Sequence, residues 1–224
     1  MDSNTKVIKN NFEGANFLWS SWRDTVLRLD KFPQDEDKDV EIFTLLGIQY
    51  KENTRHYHNW NHIKTMIKAL YDYPREINDT LSIELAIWFH DAIYIPLRKD
   101  NESKSAKFFQ EQLSVYLPIE RTRKIMNYIE ATKNHQKTTD EDLQVLLDLD
   151  LAILGQSKNV YQNYAKQIRE EYGYVPNFLY KRGRKRVLKN FLEKPVIYQT
   201  SFFREQLEEQ AKENIKEELE KLSS

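Results

Sequence analysis

The sequence predicts an all-α fold, and three observations carry that prediction. Apolar residues recur at helical spacing in about ten segments, no run of period-two alternation reads as a strand, and the breakers fall between the periodic segments. The five glycines (Gly14, Gly47, Gly155, Gly173 and Gly183) form no cluster, which excludes a phosphate-cradling loop or a dinucleotide fingerprint. The six prolines (Pro33, Pro74, Pro96, Pro118, Pro176 and Pro195) separate the same segments. Gly155 and Gly173 directly follow helical patterns, where a left-handed residue is expected to end the helix.

The elements follow in order. Phe17, Leu18, Trp22, Val26 and Leu29 form one stripe of a first helix, broadened by Trp19, and Val40 to Ile48 reads as a second. Between them, Lys31 to Lys38, with Asp35, Glu36 and Asp37, reads as a solvated loop. From about Asn59 to Leu70, Ile63, Met66, Ile67 and Leu70 keep i, i+3, i+4, i+7 spacing, with Asn59 a fitting N-cap. Leu81 to Ile93 is apolar nearly all round and marks a central helix. Glu102 to Leu117 and Glu120 to Thr132 come next, the latter with Ile125, Tyr128 and Ile129 as its stripe. Leu143 to Leu154 is a second central helix, followed by Val160 to Tyr172 and Asn177 to Leu192. The last helix, Phe203 to Leu222, carries Phe203, Leu207, Ala211, Ile215, Leu219 and Leu222 on a narrow stripe. That stripe is too short for a coiled coil and predicts docking onto the chain's own body. Neither a repeat nor a Ser/Gly-rich linker divides the chain. Residues 1–224 therefore read as one domain, with a core at about 17–175 and carboxy-terminal helices at about 177–222 packed on it.

Composition narrows the function. Lys and Arg number 34 against 35 Asp and Glu, so no electrostatic footprint for general nucleic-acid binding exists. Cysteine is absent, which removes disulfides, thiolate metal ligands and cysteine nucleophiles. No apolar run is long enough to span a membrane, and Met1 to Lys6 leads into no signal-peptide core. A cytoplasmic protein without membrane contact is the expectation. A homo-oligomer is compatible with these signals.

The polar residues in apolar surroundings carry the chemistry. Trp88-Phe89-His90-Asp91 sets a histidine and a carboxylate at the rim of the core, where desolvation demands a partner for each. His62 borders the face of Ile63 and Met66, and His58 lies one turn earlier on the same side. Leu146 to Leu151 sets Asp148 and Asp150 among leucines. Two residues apart on a helix means about 200° apart in direction, so one can meet a cation while the other holds an N–H or an arginine. His62, His90, Asp91 and one of Asp148 or Asp150 thus form a mixed nitrogen and oxygen set for one divalent ion. Mn²⁺, Fe²⁺, Co²⁺, Ni²⁺, Zn²⁺ and Mg²⁺ are all compatible with it.

The order His62, His90-Asp91, Asp150 resembles the signature of the HD-domain superfamily of metal-dependent phosphohydrolases. Tyr57-His58-Asn59-Trp60-Asn61-His62 resembles the YHNxxH motif of cyclic-nucleotide phosphodiesterases, which share that helical core. A bacterial group of HD-superfamily phosphohydrolases is similar at Arg55 to Asn59, Trp88 to Tyr94, Asn101-Glu102 with Ser105-Ala106, Ala131-Thr132 with His135, and Asp148 to Gly155. The likeness runs from about Trp19 to Leu219. It implies an HD-domain helical bundle with a C-terminal helical extension. It also implies Asp150 as the fourth ligand, with Asp148 supporting it, and His58 as the general acid on the leaving oxygen. Asp91 is followed by Ala92-Ile93-Tyr94 instead of the Ile-Gly-Lys of many HD enzymes, and only His135 stands where dinuclear members carry extra histidines. A mononuclear site is therefore expected, and a di-iron oxygenase is disfavoured.

A metal-dependent phosphohydrolase acting on a small phosphorylated substrate such as a nucleotide follows from the resemblance. Besides its ligand role, Asp91 (or Asp150) could take a proton from water, and Arg55 joins His58 and Asp91 as a catalytic candidate. Arg55 and Lys133 could hold phosphate oxygens, Arg55 through its planar fork. His135 could bind a second ion or a phosphate, or lie on the surface. Glu102 could orient a water or be a solvated first-turn residue, and Arg169 could reach a phosphate or pair with an acid such as Glu205. Tyr161, Tyr164 and Tyr172 read as a packing stripe sooner than a stacking platform, and Lys181 to Arg186 as a solvated face. The alternative is a non-catalytic HD-like nucleotide- or metal-binding regulatory module. A purely structural metal would not need His58 and Arg55 beside it.

Overall fold

A buried helix needs other helices on every side, and the ten α-helices among the described residues are arranged around one such helix. The computed structural model describes residues 16–33 and 36–223. Met1 to Lys6, Gly14 and Asp35, each used in the sequence argument, lie outside the described residues. The helices are α1 (Asn16–Val26), α2 (Glu36–Tyr50), α3 (Trp60–Tyr71), α4 (Thr80–Phe89), α5 (Asn101–Leu113), α6 (Ile119–Ala131), α7 (Glu141–Leu151), α8 (Lys158–Glu171), α9 (Asn177–Glu193) and α10 (Ser201–Ser223). Short 3-10 turns extend α5 (Ser114–Tyr116) and α7 (Ala152–Gly155). None of these helices is long and apolar enough to cross a membrane.

Helix α4 is the central one, buried from Leu81 through Phe89, with α1, α3, α5, α6 and α7 against it. Its start is fixed by Asp79, whose side chain accepts from the Ser82 N–H at 3.1 Å. Asp142 of α7 in turn accepts from the Asn78 and Asp79 N–H groups at 2.9 and 3.0 Å. The buried Glu84 accepts from Thr25 Oγ1 at 3.0 Å and pairs with Arg28, so its charge is not left uncompensated. Trp22 and Trp88 meet edge to face at 5.6 Å, and each indole N–H has a partner, the Asp39 carbonyl and Thr25 Oγ1 respectively.

Several boundaries differ from the sequence reading. The central helix ends at Phe89, not Ile93, so His90 caps it and Asp91 lies in the turn beyond. The second helix begins at Glu36, shortening the loop expected over Lys31 to Lys38. The first ends at Val26 and reaches Leu29 only through turns. Arg184, within the run read as a solvated face, is buried in a bidentate pair with Glu218 at 2.8 and 3.1 Å.

The last helix docks on the chain's own body, as its narrow stripe predicts. Asn214 donates to the Leu154 and Gln156 carbonyls at 2.9 and 2.8 Å, and Tyr161 donates to Glu218 at 2.5 Å. The expected left-handed glycines are absent, since neither Gly155 nor Gly173 has a positive φ. Gly155 serves close packing instead. A Cβ there would stand 2.5 Å from Leu207 Cβ and 2.7 Å from the Leu207 carbonyl oxygen. Gly155→Ala is expected to destabilise the fold by about 2–3 kcal/mol in urea unfolding, because backbone must move. Gly183→Ala, where an added Cβ meets nothing within 4 Å, should be neutral or stabilise by roughly 0.5–1 kcal/mol, since it replaces a helical glycine.

Candidate metal centre

The divergence of Asp148 and Asp150 on α7 builds two different structures. Asp148 is buried and accepts from the Gln199 and Thr200 N–H groups at 2.8 and 2.7 Å, holding the start of α10. It therefore serves α10 and not, as expected, the support of the metal ligands. Asp150 points the other way, and its Oδ1 lies 3.2 Å from His62 Nε2 and 3.7 Å from His90 Nε2.

Three further elements complete the cluster. The first turn of α3, capped by Asn59 on the Asn61 N–H at 2.9 Å, presents His62. The end of α4 presents His90, and the turn after it presents Asp91. The two Nε2 atoms are 3.2 Å apart, and Asp91 Oδ2 stands 3.0 Å from His90 Nε2 and 3.7 Å from His62 Nε2. His62, His90 and Asp91 can offer three ligand atoms within 4.8 Å of one another, and Asp150 Oδ1 touches both imidazoles of that group. His90 Nδ1 donates to the Ile87 carbonyl at 3.0 Å, which turns Nε2 toward the cluster.

The donor chemistry fits a divalent cation. Ligand atoms about 2.1 Å from a common ion lie roughly 3.0–3.4 Å apart when adjacent, and the shorter separations here fall in that range. Burial disfavours charge on Asp91 and Asp150, but the surrounding histidines outweigh it and hold both carboxyls below the usual range. Both are thus anionic, as ligands must be. No protein family, no curated protein and no solved structure matches this chain.

His58 stands beside the cluster, 6.0 Å from His62 between ring centres and stacked on Tyr94 at 4.2 Å. Its Nδ1 donates to Glu171 Oε2 at 2.7 Å, leaving Nε2 as the nitrogen available to a substrate. The other oxygen of Glu171 accepts from the Tyr57 and His58 N–H groups at 2.8 and 2.9 Å. Burial opposes the charge of His58, but Asp91 and Glu171 outweigh it and raise its pKa. Glu171 is the partner of His58 to which the sequence reading gave no role. Its only signal was a carboxylate at the end of an amphipathic helix, which on its own reads as surface.

The other candidates divide. His135, with φ 47°, donates from Nε2 to Asp150 Oδ2 at 2.9 Å and so orients that carboxylate. Arg55 is not turned to a phosphate. Its side chain is buried, donating to Glu52 at 3.1 Å, to the Asp91 carbonyl at 2.6 Å and to the Ala92 carbonyl at 2.9 Å. It fixes the backbone that carries Asp91. Arg169 is likewise committed, donating to the Tyr172 and Val175 carbonyls at 2.7 and 3.2 Å over the Tyr180 ring. Lys133 donates to the Lys99 carbonyl and lies 4.0 Å from Glu102.

A cavity of about 750 Å³ opens beside the cluster, lined at one end by His58, Lys133, His135 and Asp150. Tyr164 and Tyr172, expected only to pack, also line it, while Tyr161 is buried. His90→Ala and Asp150→Ala are each expected to lose the metal in elemental analysis of the purified protein. Asp148→Ala should keep it while costing about 2 kcal/mol in stability, because it leaves two N–H groups at the start of α10 without an acceptor.

Proposed function

We propose that this chain is a metal-dependent phosphohydrolase of the HD type, holding one divalent ion on His62, His90, Asp91 and Asp150. The observation that carries the reading is the convergence of two Nε2 atoms and two carboxylate oxygens, at 3.0–3.7 Å, beside a cavity that also exposes His58. The motif resemblance at Arg55 to His62, His90-Asp91 and Asp148 to Gly155 supports it. A cytoplasmic setting suits an activity on a small metabolite in a chain without cysteine.

Hydrolysis of a phosphate monoester needs its negative charge offset, a water activated and a proton given to the leaving oxygen. A divalent ion in the site would supply the charge offset and the acidity of the water. The protein's own residues divide the rest. Asp91 and Asp150 are ionised and close enough to the centre to accept a proton from water. His58, protonated and oriented by Glu171, donates to the leaving alkoxide. The water's oxygen becomes a phosphate oxygen, and the alcohol leaves with the proton from His58. Arg55 acts through the Asp91 carbonyl as a positioning residue. Lys133, at the cavity wall, can meet phosphate charge.

Purified protein supplemented with Mn²⁺, Co²⁺ or Ni²⁺ is expected to release inorganic phosphate from at least one ester in a broad metabolite screen. Metal removal by a chelator should abolish that release. His58→Ala is expected to keep the metal and lose about 10²- to 10⁴-fold in kcat. Unchanged turnover in that variant would overturn the general-acid assignment. Because the acid must carry its proton, the rate should fall as pH rises through the raised pKa of His58. Glu171→Gln removes an anion from that imidazolium, so the alkaline limb of the kcat profile should move to lower pH.

A further inference from the structure

Beyond the polar end, most of the cavity wall is aliphatic or aromatic, and its polar groups are tyrosine hydroxyls, Arg184 and, at the exposed edge, Arg186. Leu151, Ile153, Leu154, Val175, Leu179 and Val187 line it, with Tyr94, Tyr164 and Tyr172 presenting rings among them. None of the described residues that line it is Ser, Thr, Asn, Gln or Glu, and the one Asp is Asp150 at the metal cluster. Arg184, the buried cation on the wall, is already held by both oxygens of Glu218, with the Tyr164 hydroxyl 3.3 Å away. A nucleoside placed there would bury ring nitrogens, carbonyls and ribose hydroxyls with few partners, at a cost of about 1–3 kcal/mol for each group left unpaired, a loss of roughly 5- to 150-fold in affinity. An alkyl or aryl group buries the same wall without that loss. The volume, about 750 Å³, is that of a pocket for a molecule well beyond phosphate itself.

From this arrangement we infer that the substrate is a phosphate monoester of an apolar alcohol or phenol. Its phosphate lies at the His58 and Asp150 end, and its apolar body lies along α8 and α9. The inference rests on the phosphohydrolase reading for the chemistry at the polar end, but the recognition of the apolar body stands on the cavity wall alone.

The experiment has two arms. In the first, Mn²⁺-supplemented protein is assayed on ethyl, butyl, hexyl and octyl phosphate, phenyl and naphthyl phosphate, and adenosine and uridine 5′-phosphates. The kcat/KM is expected to rise roughly threefold to fourfold per added methylene until the cavity is filled, the partition factor of a buried methylene. Octyl and naphthyl phosphate should exceed either nucleotide at least tenfold. In the second arm, calorimetry compares octylphosphonate, methylphosphonate and adenosine 5′-phosphate binding to the same protein, with no turnover required. Leu179→Asn and Val187→Asn change partly exposed wall positions without emptying the core, and should flatten the chain-length dependence in both arms. Preference for a nucleotide, or indifference to chain length in the binding arm, overturns the inference while leaving a phosphohydrolase. Tight octylphosphonate binding with no ester hydrolysed sustains the inference and overturns the hydrolase.

Discussion

Everything at this site depends on how Asp150 uses its two oxygens. One faces His62 and His90, the other accepts from His135, so a single carboxylate joins α3, the end of α4, the end of α7 and the turn after α6. Two imidazole nitrogens 3.2 Å apart cannot both carry a proton toward each other in the core without strong repulsion. Asp91 and Asp150 relieve that conflict by electrostatic attraction, and a shared cation would relieve it more completely. The same demand explains the surrounding hydrogen bonds. Ile87 takes the far nitrogen of His90, and Arg55 clamps the backbone on either side of the Asp91–Ala92 peptide. Each support removes a rotational freedom from His90 or from the backbone that carries Asp91.

Around this cluster, buried polar groups act as joints between helices. Glu171 gathers two backbone N–H groups and the imidazole of His58, attaching the end of α8 to the segment ahead of α3. Glu218 attaches α10 to α8 and α9 through Tyr161 and Arg184. Glu208 accepts from the Ile197 and Tyr198 N–H groups at 3.0 and 3.2 Å and so closes the turn before α10. These carboxylates are buried yet compensated, which makes them sources of geometric specificity more than of net stability.

The helical class and the order of elements were legible because burial has a period. Ile63, Met66, Ile67 and Leu70 are all buried on α3, as their spacing requires. The nearness of His62, His90 and one of Asp148 or Asp150 was legible for a related reason, since each is an ionisable group in an apolar neighbourhood, but the choice of Asp150 came from the motif resemblance. What stayed hidden depended on contacts between distant segments. Besides the nearby Glu52, Arg55 meets backbone carbonyls 36 and 37 residues away, and no side-chain pattern encodes a carbonyl. Glu171 meets His58 across 113 residues. The end of α4 was misplaced because Ala92 and Ile93 continue the apolar run, and hydrophobicity does not report where a backbone turns. The role of Gly155 was hidden likewise, for a glycine after a helix looks the same whether it turns the chain or admits a neighbour.

That close approach at Gly155 orders events in time. The contact joins residue 155 to residue 207, and the Asp148 bonds join α7 to residues 199 and 200. Helices α3, α4 and α7 contact one another without any residue beyond 151. The segment ending at Gly155, which bears Asp150, is clamped only after α10 has left the ribosome and swung back. A nascent chain halted before residue 200 would lack both the N–H groups that Asp148 accepts from and the Leu207 contact at Gly155. Asp150 thus lies on a helix braced by a segment made about 50 residues later, although His62, His90 and Asp91 come from earlier in the chain.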